Sequence, residues 1–547
     1  MFSDRKDVPM VDSKYLLDDE AMQQFIMDGY IQLESSLPRE IHHRIYSELG
    51  PLDEGGPRGH NNLLPCVPDL QLLLNEPIVV GALESLLGPN YYLHFHRHDH
   101  TNFPDSAQPL HKDGDNHSHL AVDRLRRHHP TRYVMLFYYP QDTPASAGPT
   151  GIVPRSQYVM RRKVETARKS YNDISGHIPQ QVREEIRTGK LDQTKSSERA
   201  AELSNEIREQ HPSLARAAEE ADAPWEASKI PLTGKAGTIT IVHFDIVHGR
   251  YSKNTLKQPR HMVKFLFTRN EEPRRPTWRH VNPHWQPPDN QTQAPIWNFI
   301  WHWHLGKTLP APTHGDHTDY VCDLDSDDDA VAIAASYALA RFDKGIDVLV
   351  NRFTESNIER RTIASYGLAA AGAKITPRLL EWLEPSINSN DLLIRVVDLL
   401  GDIGPSAASA LPQLLKLVKH EDPRIRRYIA ETIGIVAERN THLETPCIEA
   451  LLQLITDEDA LTTRNAVFSI ARLGPLARTE TIVNTLKKNI FHWHHHVRGW
   501  TVEALLRIED PEATAFIIKY LNMSRWDPAP KSGDRPATDK TMRKNDP

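Results

Sequence analysis

Two histidines and one aspartate, His111, Asp113 and His248, have the types and spacing of a three-ligand metal site. On an extended segment, residues two apart point the same way, so His111-Lys-Asp113 can offer an imidazole and a carboxylate to one ion. A second imidazole must then come from a distant strand. Two histidines and a carboxylate on one face of a β-barrel suit a non-haem Fe(II) centre, because they leave positions open for a co-substrate and for dioxygen. Alone, His-x-Asp says little here. It occurs five times, at His111/Asp113, His243/Asp245, His314/Asp316, His317/Asp319 and His420/Asp422, against roughly two expected by chance in so histidine-rich a chain.

Context selects the first copy. His111 follows a strand-like run and a proline-containing loop, and His248 stands 137 positions later at the end of TITIVHFDIVHGRYSKN. Twelve residues on is Arg260, just before the apolar run MVKFLFT. A guanidinium there can grip the far carboxylate of a dicarboxylic acid through paired hydrogen bonds, a task for which a lysine ammonium is less well shaped. His243 is the rival third ligand, five residues earlier and beside Asp245. His94, His96, His98 and His100 alternate along one strand face, where they would line a barrel mouth or hold zinc. The cluster His492, His494, His495 and His496 reads as an exposed loop between helices.

The elements that must position these residues fall into two textures. A helix capped by Asp18-Asp19-Glu20 leads through a turn at Gly29 into a strand from Tyr30 to Leu33. Helices are expected at 38–49 and from Pro77 to Leu87. Strands are expected from Tyr91 to His100 and at 132–139, 150–154, 238–244 and 262–268. The result is an antiparallel β domain over residues 1–310. It is interrupted at about 161–228 by a charged, helix-prone insert, read as a lid or contact element beside the pocket. After a linker at 311–329, helices recur in pairs. Their apolar anchors are Leu339, Leu368, Leu400, Ile433, Ile470 and Leu505, spaced 29, 32, 33, 37 and 35 residues apart. That period marks an α-solenoid over 330–525, which resembles HEAT repeats of the short kind. The Pro-rich, polar tail 526–547 is expected to be disordered.

Residues 15–270 resemble the phytanoyl-CoA dioxygenase family of Fe(II)- and 2-oxoglutarate-dependent oxygenases. The resemblance is carried by LLDDEAMQQFIMDGYIQL, by LHKDGD, by SAGPTGIVPRSQY, and by HGRYSKN followed by Arg260. It implies a double-stranded β-helix, a cupin-like jelly roll with a helical insert, fused to the all-α solenoid. It makes His111, Asp113 and His248 the iron ligands and Arg260 the anchor of 2-oxoglutarate. Phe137 falls beside the co-substrate, and Ser252 stands in for a small polar residue whose usual place Arg250 takes. The family's Pro-Gly-Ser-His turn reads Pro154-Arg155-Ser156-Gln157. The presence of Asp113 argues against the halogenase variant, in which a small residue frees the site for chloride. The implied cofactors are Fe(II) and 2-oxoglutarate, with ascorbate in support, and the implied substrate is a small molecule. The alternatives are a protein-binding scaffold carrying a degenerate barrel, or an oxygenase acting on a protein partner delivered by the repeats.

Composition narrows the remaining classes. The formal charge is −7, from 65 Lys and Arg against 72 Asp and Glu, which gives no overall positive excess for a nucleic-acid backbone. The longest small-apolar run, Ala330 to Ala340, is far short of the ~20 residues of a membrane helix. Three cysteines, Cys66, Cys322 and Cys447, cannot form a disulfide framework, and the polar N-terminus does not read as a secretory signal. A cytoplasmic protein is expected, with neither nucleic acid nor membrane as partner.

Overall fold

A computed structural model of the chain describes residues 11–53, 63–101, 109–113, 129–160, 177–192, 195–256, 258–282, 291–312, 315–383, 389–438 and 445–525, with isolated residues between 167 and 175 and between 285 and 288. The tail at 526–547, His314 and much of 161–176 lie outside the described residues.

Among the described residues are eight strands: β1 (Tyr30–Glu34), β2 (Tyr92–Asp99), β3 (Tyr133–Tyr139), β4 (Thr150–Val153), β5 (Ile230–Pro231), β6 (Thr238–His243), β7 (Val247–Arg250) and β8 (Val263–Thr268). They form a five-stranded sheet in the order β1-β6-β3-β8-β2 and a three-stranded sheet in the order β5-β4-β7. All the pairings are antiparallel. Residues 109–113 extend the smaller sheet, because His111 and His248 exchange both backbone hydrogen bonds, at 2.8 and 2.9 Å. The chain thus passes back and forth between two facing sheets, the winding of a jelly roll.

Strand β3 explains why the larger sheet is central. YVMLFYY shows no polar alternation, the pattern of a strand covered on both faces, and every residue in it is buried. Tyr133, Met135, Phe137 and Tyr139 meet Ile152, Val242, Phe244, Met262 and Leu266 in the core between the sheets. Val134, Leu136 and Tyr138 face the other way, into a core shared with helices. Those helices include α1 (Asp19–Asp28), α2 (Arg39–Asp53) and α3 (Pro77–Leu87). Asp18 caps α1 by accepting from the Ala21 amide at 3.0 Å. Gly29 ends it at φ 81°, a left-handed conformation in which an added Cβ would also strike the Gln157 side chain.

The insert contains α4 (Ile178–Arg187), α5 (Ser196–Gln210) and α6 (Pro212–Ser228), with a small core of its own around Ile178, Val182, Leu203 and Ile207. A further helix, α7 (Ala294–His304), was not expected from the sequence. Its aromatic sequence, APIWNFIWHWH, has middling helix propensity, and the buried Trp297 and Trp301 stabilise it by packing. The 311–329 segment carries a short helical turn, Thr318–Val321, whose Tyr320 and Val321 pack on the main core.

Among the described residues six helix pairs follow. Their first members are α8 (Asp329–Leu339), α9 (Ile358–Ala371), α10 (Asn390–Ile403), α11 (Pro423–Val436), α12 (Ala460–Leu473) and α13 (His495–Arg507). Each of these six touches the β domain or bears a charge interacting with it. The His129 ring bonds the Tyr337 hydroxyl at 2.9 Å and stacks on Tyr366 at 4.1 Å. Arg132, directly before β3, pairs with Glu272 at 2.9 Å and with Asp402 at 3.3 Å. The Glu272 amide donates to Glu438, which follows α11, at 2.8 Å, and Arg472 pairs with both Glu438 and Glu272. Trp500 meets Tyr92 edge-on at 4.9 Å, and Arg507 donates to the Asn90 carbonyl at 3.0 Å. One face of the helical array is therefore occupied by this chain's own barrel. Burial alone would raise the Glu272 carboxyl, but Arg132 and Arg472 hold it well below its ordinary value.

Candidate metal centre

His111 and His248 are direct cross-strand neighbours on the smaller sheet, and Asp113 lies two residues along from His111 on the same face. One ligand atom from each of the three falls within 4.8 Å of the others, and among the described residues this is the only such group found. The Nε2 atoms of His111 and His248 each lie 3.7 Å from an oxygen of Asp113. Ligands about 2.1 Å from a shared ion stand roughly 3 Å apart, so a small inward movement completes the site. Both imidazoles are aimed in the same way. His111 Nδ1 contacts the Pro109 carbonyl at 3.0 Å, and His248 Nδ1 contacts the Ile246 carbonyl at 3.1 Å. A carbonyl only accepts, so each Nδ1 carries the proton and each Nε2 turns its lone pair toward Asp113.

The electrostatics suit a cation. Burial pushes the His248 imidazole down to about 3, with His111 acting in the same direction, so the ring is neutral and able to ligate at neutral pH. Burial would raise the Asp113 carboxyl, but the Lys264 ammonium beside it holds it well below the carboxylate range, with either imidazole adding to this only where it is protonated. The Lys264 ammonium bonds directly to Asp113, as a positive charge standing where a metal's charge would fall. Lys264 lies on β8, paired with Phe137 on one side and His98 on the other. Sequence reading missed it, although one cation inside the apolar run MVKFLFT was the available signal.

The remaining expected site residues are placed as follows. The Phe137 ring centre is 5.5 Å from that of His248, inside the barrel. Arg260 is buried, 5.9 Å from the centre of the Tyr139 ring, and donates to the carbonyls of Gly148 (2.9 and 3.2 Å) and His100 (3.1 Å). Among the described residues no carboxylate pairs with it, and burial lowers its affinity for its proton. The Ser252 hydroxyl donates to the Ala145 carbonyl at 2.8 Å, and no hydrogen bond joins it to the triad.

His243 is excluded as the third ligand by strand alternation. Its neighbours Val242 and Phe244 fill the barrel, so its ring points out, between Phe25 and Tyr158. The alternating histidines of β2 divide along the strand. His98 pairs with Lys264, and the His98 and His100 rings lie 4.6 Å apart. His94 instead meets Trp500 and His496 of the helical array.

The buried imidazoles set a pH dependence. His248 has an ordinary value of 6.5 and is depressed to about 3 in the fold, so folding favours the neutral ring. That preference costs nothing above pH 6.5 and grows as pH falls. At pH 5 it costs the metal-free protein about 2 kcal/mol. His100 and His304, also pushed well down by burial, add to it. Thermal melts in chelator at pH 7.5 and 5 should show the drop, and His248→Gln should show less of it; an unchanged melting temperature would contradict the assignment.

No protein-family model matches the sequence, and no curated protein matches it. Solved structures do resemble the chain. The carbocyclase SnoK from nogalamycin biosynthesis, described as non-heme and alpha-ketoglutarate dependent, is 14% identical over 48% of this chain and 87% of its own, with a TM-score of 0.30. HygX from Streptomyces hygroscopicus, with nickel and 2-oxoglutarate bound, is 14% identical over 46% of this chain and 87% of its own, with a TM-score of 0.29. An engineered protein is 19% identical over 36% of this chain and 97% of its own, with a TM-score of 0.26. With TM-scores this low, the chemistry must be read from the side chains themselves.

Proposed function

We propose that this chain is an Fe(II)- and 2-oxoglutarate-dependent oxygenase of the phytanoyl-CoA dioxygenase type, acting on a small molecule, with its barrel braced by HEAT-like repeats. The observation that carries the reading is the convergence of His111, Asp113 and His248, with both Nε2 atoms aimed at one carboxylate. Two neutral imidazoles and a carboxylate on one side of an ion fit Fe(II) and leave its other side open. When bound, the metal and keto acid would supply oxidation by dioxygen, one oxygen atom going to succinate as carbon dioxide is lost and the other to a C–H bond as hydroxyl.

The chain's own part is placement and charge. Arg260, buried and without a carboxylate partner among the described residues, would hold the far carboxylate of 2-oxoglutarate, its guanidinium turning from the Gly148 and His100 carbonyls to do so. Lys264 would have to release Asp113 for that carboxylate to hold a metal, and its ammonium would then remain as a positive charge inside the barrel. Phe137 closes the barrel side next to His248 and keeps water from that flank. His111 has 31% of its side chain exposed, so the site opens on that side, where substrate enters.

The test is succinate formation by purified protein with Fe(II), ascorbate and 2-oxoglutarate, with and without His111→Ala. Turnover should be present in the parent and lost in the variant. Equal succinate from both would remove the proposal. For Arg260→Lys the expected result is a rise of about tenfold in KM for 2-oxoglutarate with a smaller change in kcat, since lysine keeps the charge and loses the fork. An unchanged KM would place the carboxylate elsewhere.

A further inference from the structure

His111 and His248 point into the barrel, so the residues before them, Leu110 and Val247, point out. There they join Val153, the cross-strand partner of Val247, in a small apolar cluster apart from the main core, and the half-buried Trp225 packs on it. Trp225 belongs to α6, the last helix of the insert. The chain just after that helix is fastened to the same sheet. Lys229 donates to the Arg250 carbonyl at 3.2 Å, its ammonium lies 5.6 Å from the centre of the Tyr251 ring, and β5 pairs at once with β4. Trp225 therefore reaches the smaller sheet on its outer face, directly behind the metal ligands.

That face needs support. Segment 109–113 is joined to β7 by the single pair of backbone bonds at His111 and His248. It lies close because Gly249 has no side chain; a Cβ there would come within 2.7 Å of the Pro109 carbonyl oxygen. Apart from that pair the segment is held through side chains, Lys112 on the Val159 carbonyl at 2.6 Å and Asp113 on Lys264, so its backbone can slide or lift, and either movement changes the spacing of the two imidazoles.

We propose that Trp225 is a positioning residue: its indole presses on Leu110 and Val247 and fixes the separation of His111 and His248. The insert is then a brace behind the ligand pair. This rests on the metal reading given above, and the measurement is chosen to separate the two.

Ni(II) affinity of the full-length chain is measured by calorimetry, with fold checked by circular dichroism. For Trp225→Ala the dissociation constant should rise about tenfold, in the range found for residues that orient metal ligands, and Trp225→Phe should recover most of the loss. Should Trp225→Ala fail to fold, Co(II) quenching of tryptophan emission decides. Quenching in the parent should largely disappear in Trp225→Phe, because that indole packs on the residues adjoining both histidine ligands. Unaltered Ni(II) affinity in a folded Trp225→Ala, or undiminished quenching in Trp225→Phe, overturns the proposal. Ni(II) binding to His111→Ala as tight as the parent's would instead overturn the metal site, whatever Trp225 does.

Discussion

Asp113→Ala should abolish divalent-metal binding, and should do so more completely than His111→Ala. Asp113 is the only anion of the triad, and Lys264 is bonded to it inside the barrel. Removing the carboxylate leaves a buried ammonium beside two imidazoles, and an arriving dication meets positive charge with nothing to offset it. His111 sits at the open side with 31% of its side chain exposed, so water can fill its place. The expected result is no measurable Ni(II) binding for Asp113→Ala and a loss of about 100-fold for His111→Ala, roughly 3 kcal/mol. Asp113→Asn should resemble Asp113→Ala, because an amide keeps the shape but not the charge. Comparable residual affinity in Asp113→Ala and His111→Ala would show that charge is not what holds the ion.

The second large effect lies far from the metal. Arg472 is fully buried between Glu438 and Glu272, and Glu272 also takes Arg132, the residue that leads into β3. Arg472→Met should destabilise the chain by about 3–5 kcal/mol, because it strands the buried Glu438 carboxylate, while Glu272 keeps Arg132. Glu438, whose carboxyl burial already raises, should respond by taking up a proton, so the loss should grow with rising pH. Denaturant unfolding at pH 6 and 8 measures both parts. Arg472→Met with Glu438→Leu should recover some of the loss, since an apolar pair can replace a buried ion pair. The parent should unfold in one transition reported alike by barrel and repeat probes, because the two share a continuous core. Two separated transitions, or a loss under 1 kcal/mol, would mean that the interface does not bind them together.

Much of this was legible in the sequence, for identifiable reasons. The helix Pro77–Leu87 has proline at its start and glycine just after it, and its bounds are those read from the residues. Strands β3, β6 and β8 are short apolar runs between turn residues, and all three are buried throughout. The choice between His243 and His248 was not fixed by spacing. It turns on the two-residue alternation of β6 and on the turn before β7, which sends one ring out and the other in. Lys264 was invisible as a partner of Asp113 because 151 residues separate them and only sheet closure brings them together. The occupied face of the repeats was equally hidden. Periodicity shows that helices stack, but only the assembled fold shows that Tyr337, Tyr366, Glu438, Arg472 and Trp500 meet this chain's own barrel.

A crystal of the full-length chain grown without oxygen and soaked with Fe(II) and 2-oxoglutarate tests the central claim most directly. One ion should appear, bonded to Nε2 of His111, Nε2 of His248 and a carboxylate oxygen of Asp113, with the far carboxylate of the keto acid on Arg260. An ion bound elsewhere, or a triad that stays joined to Lys264 at saturating iron, would contradict it.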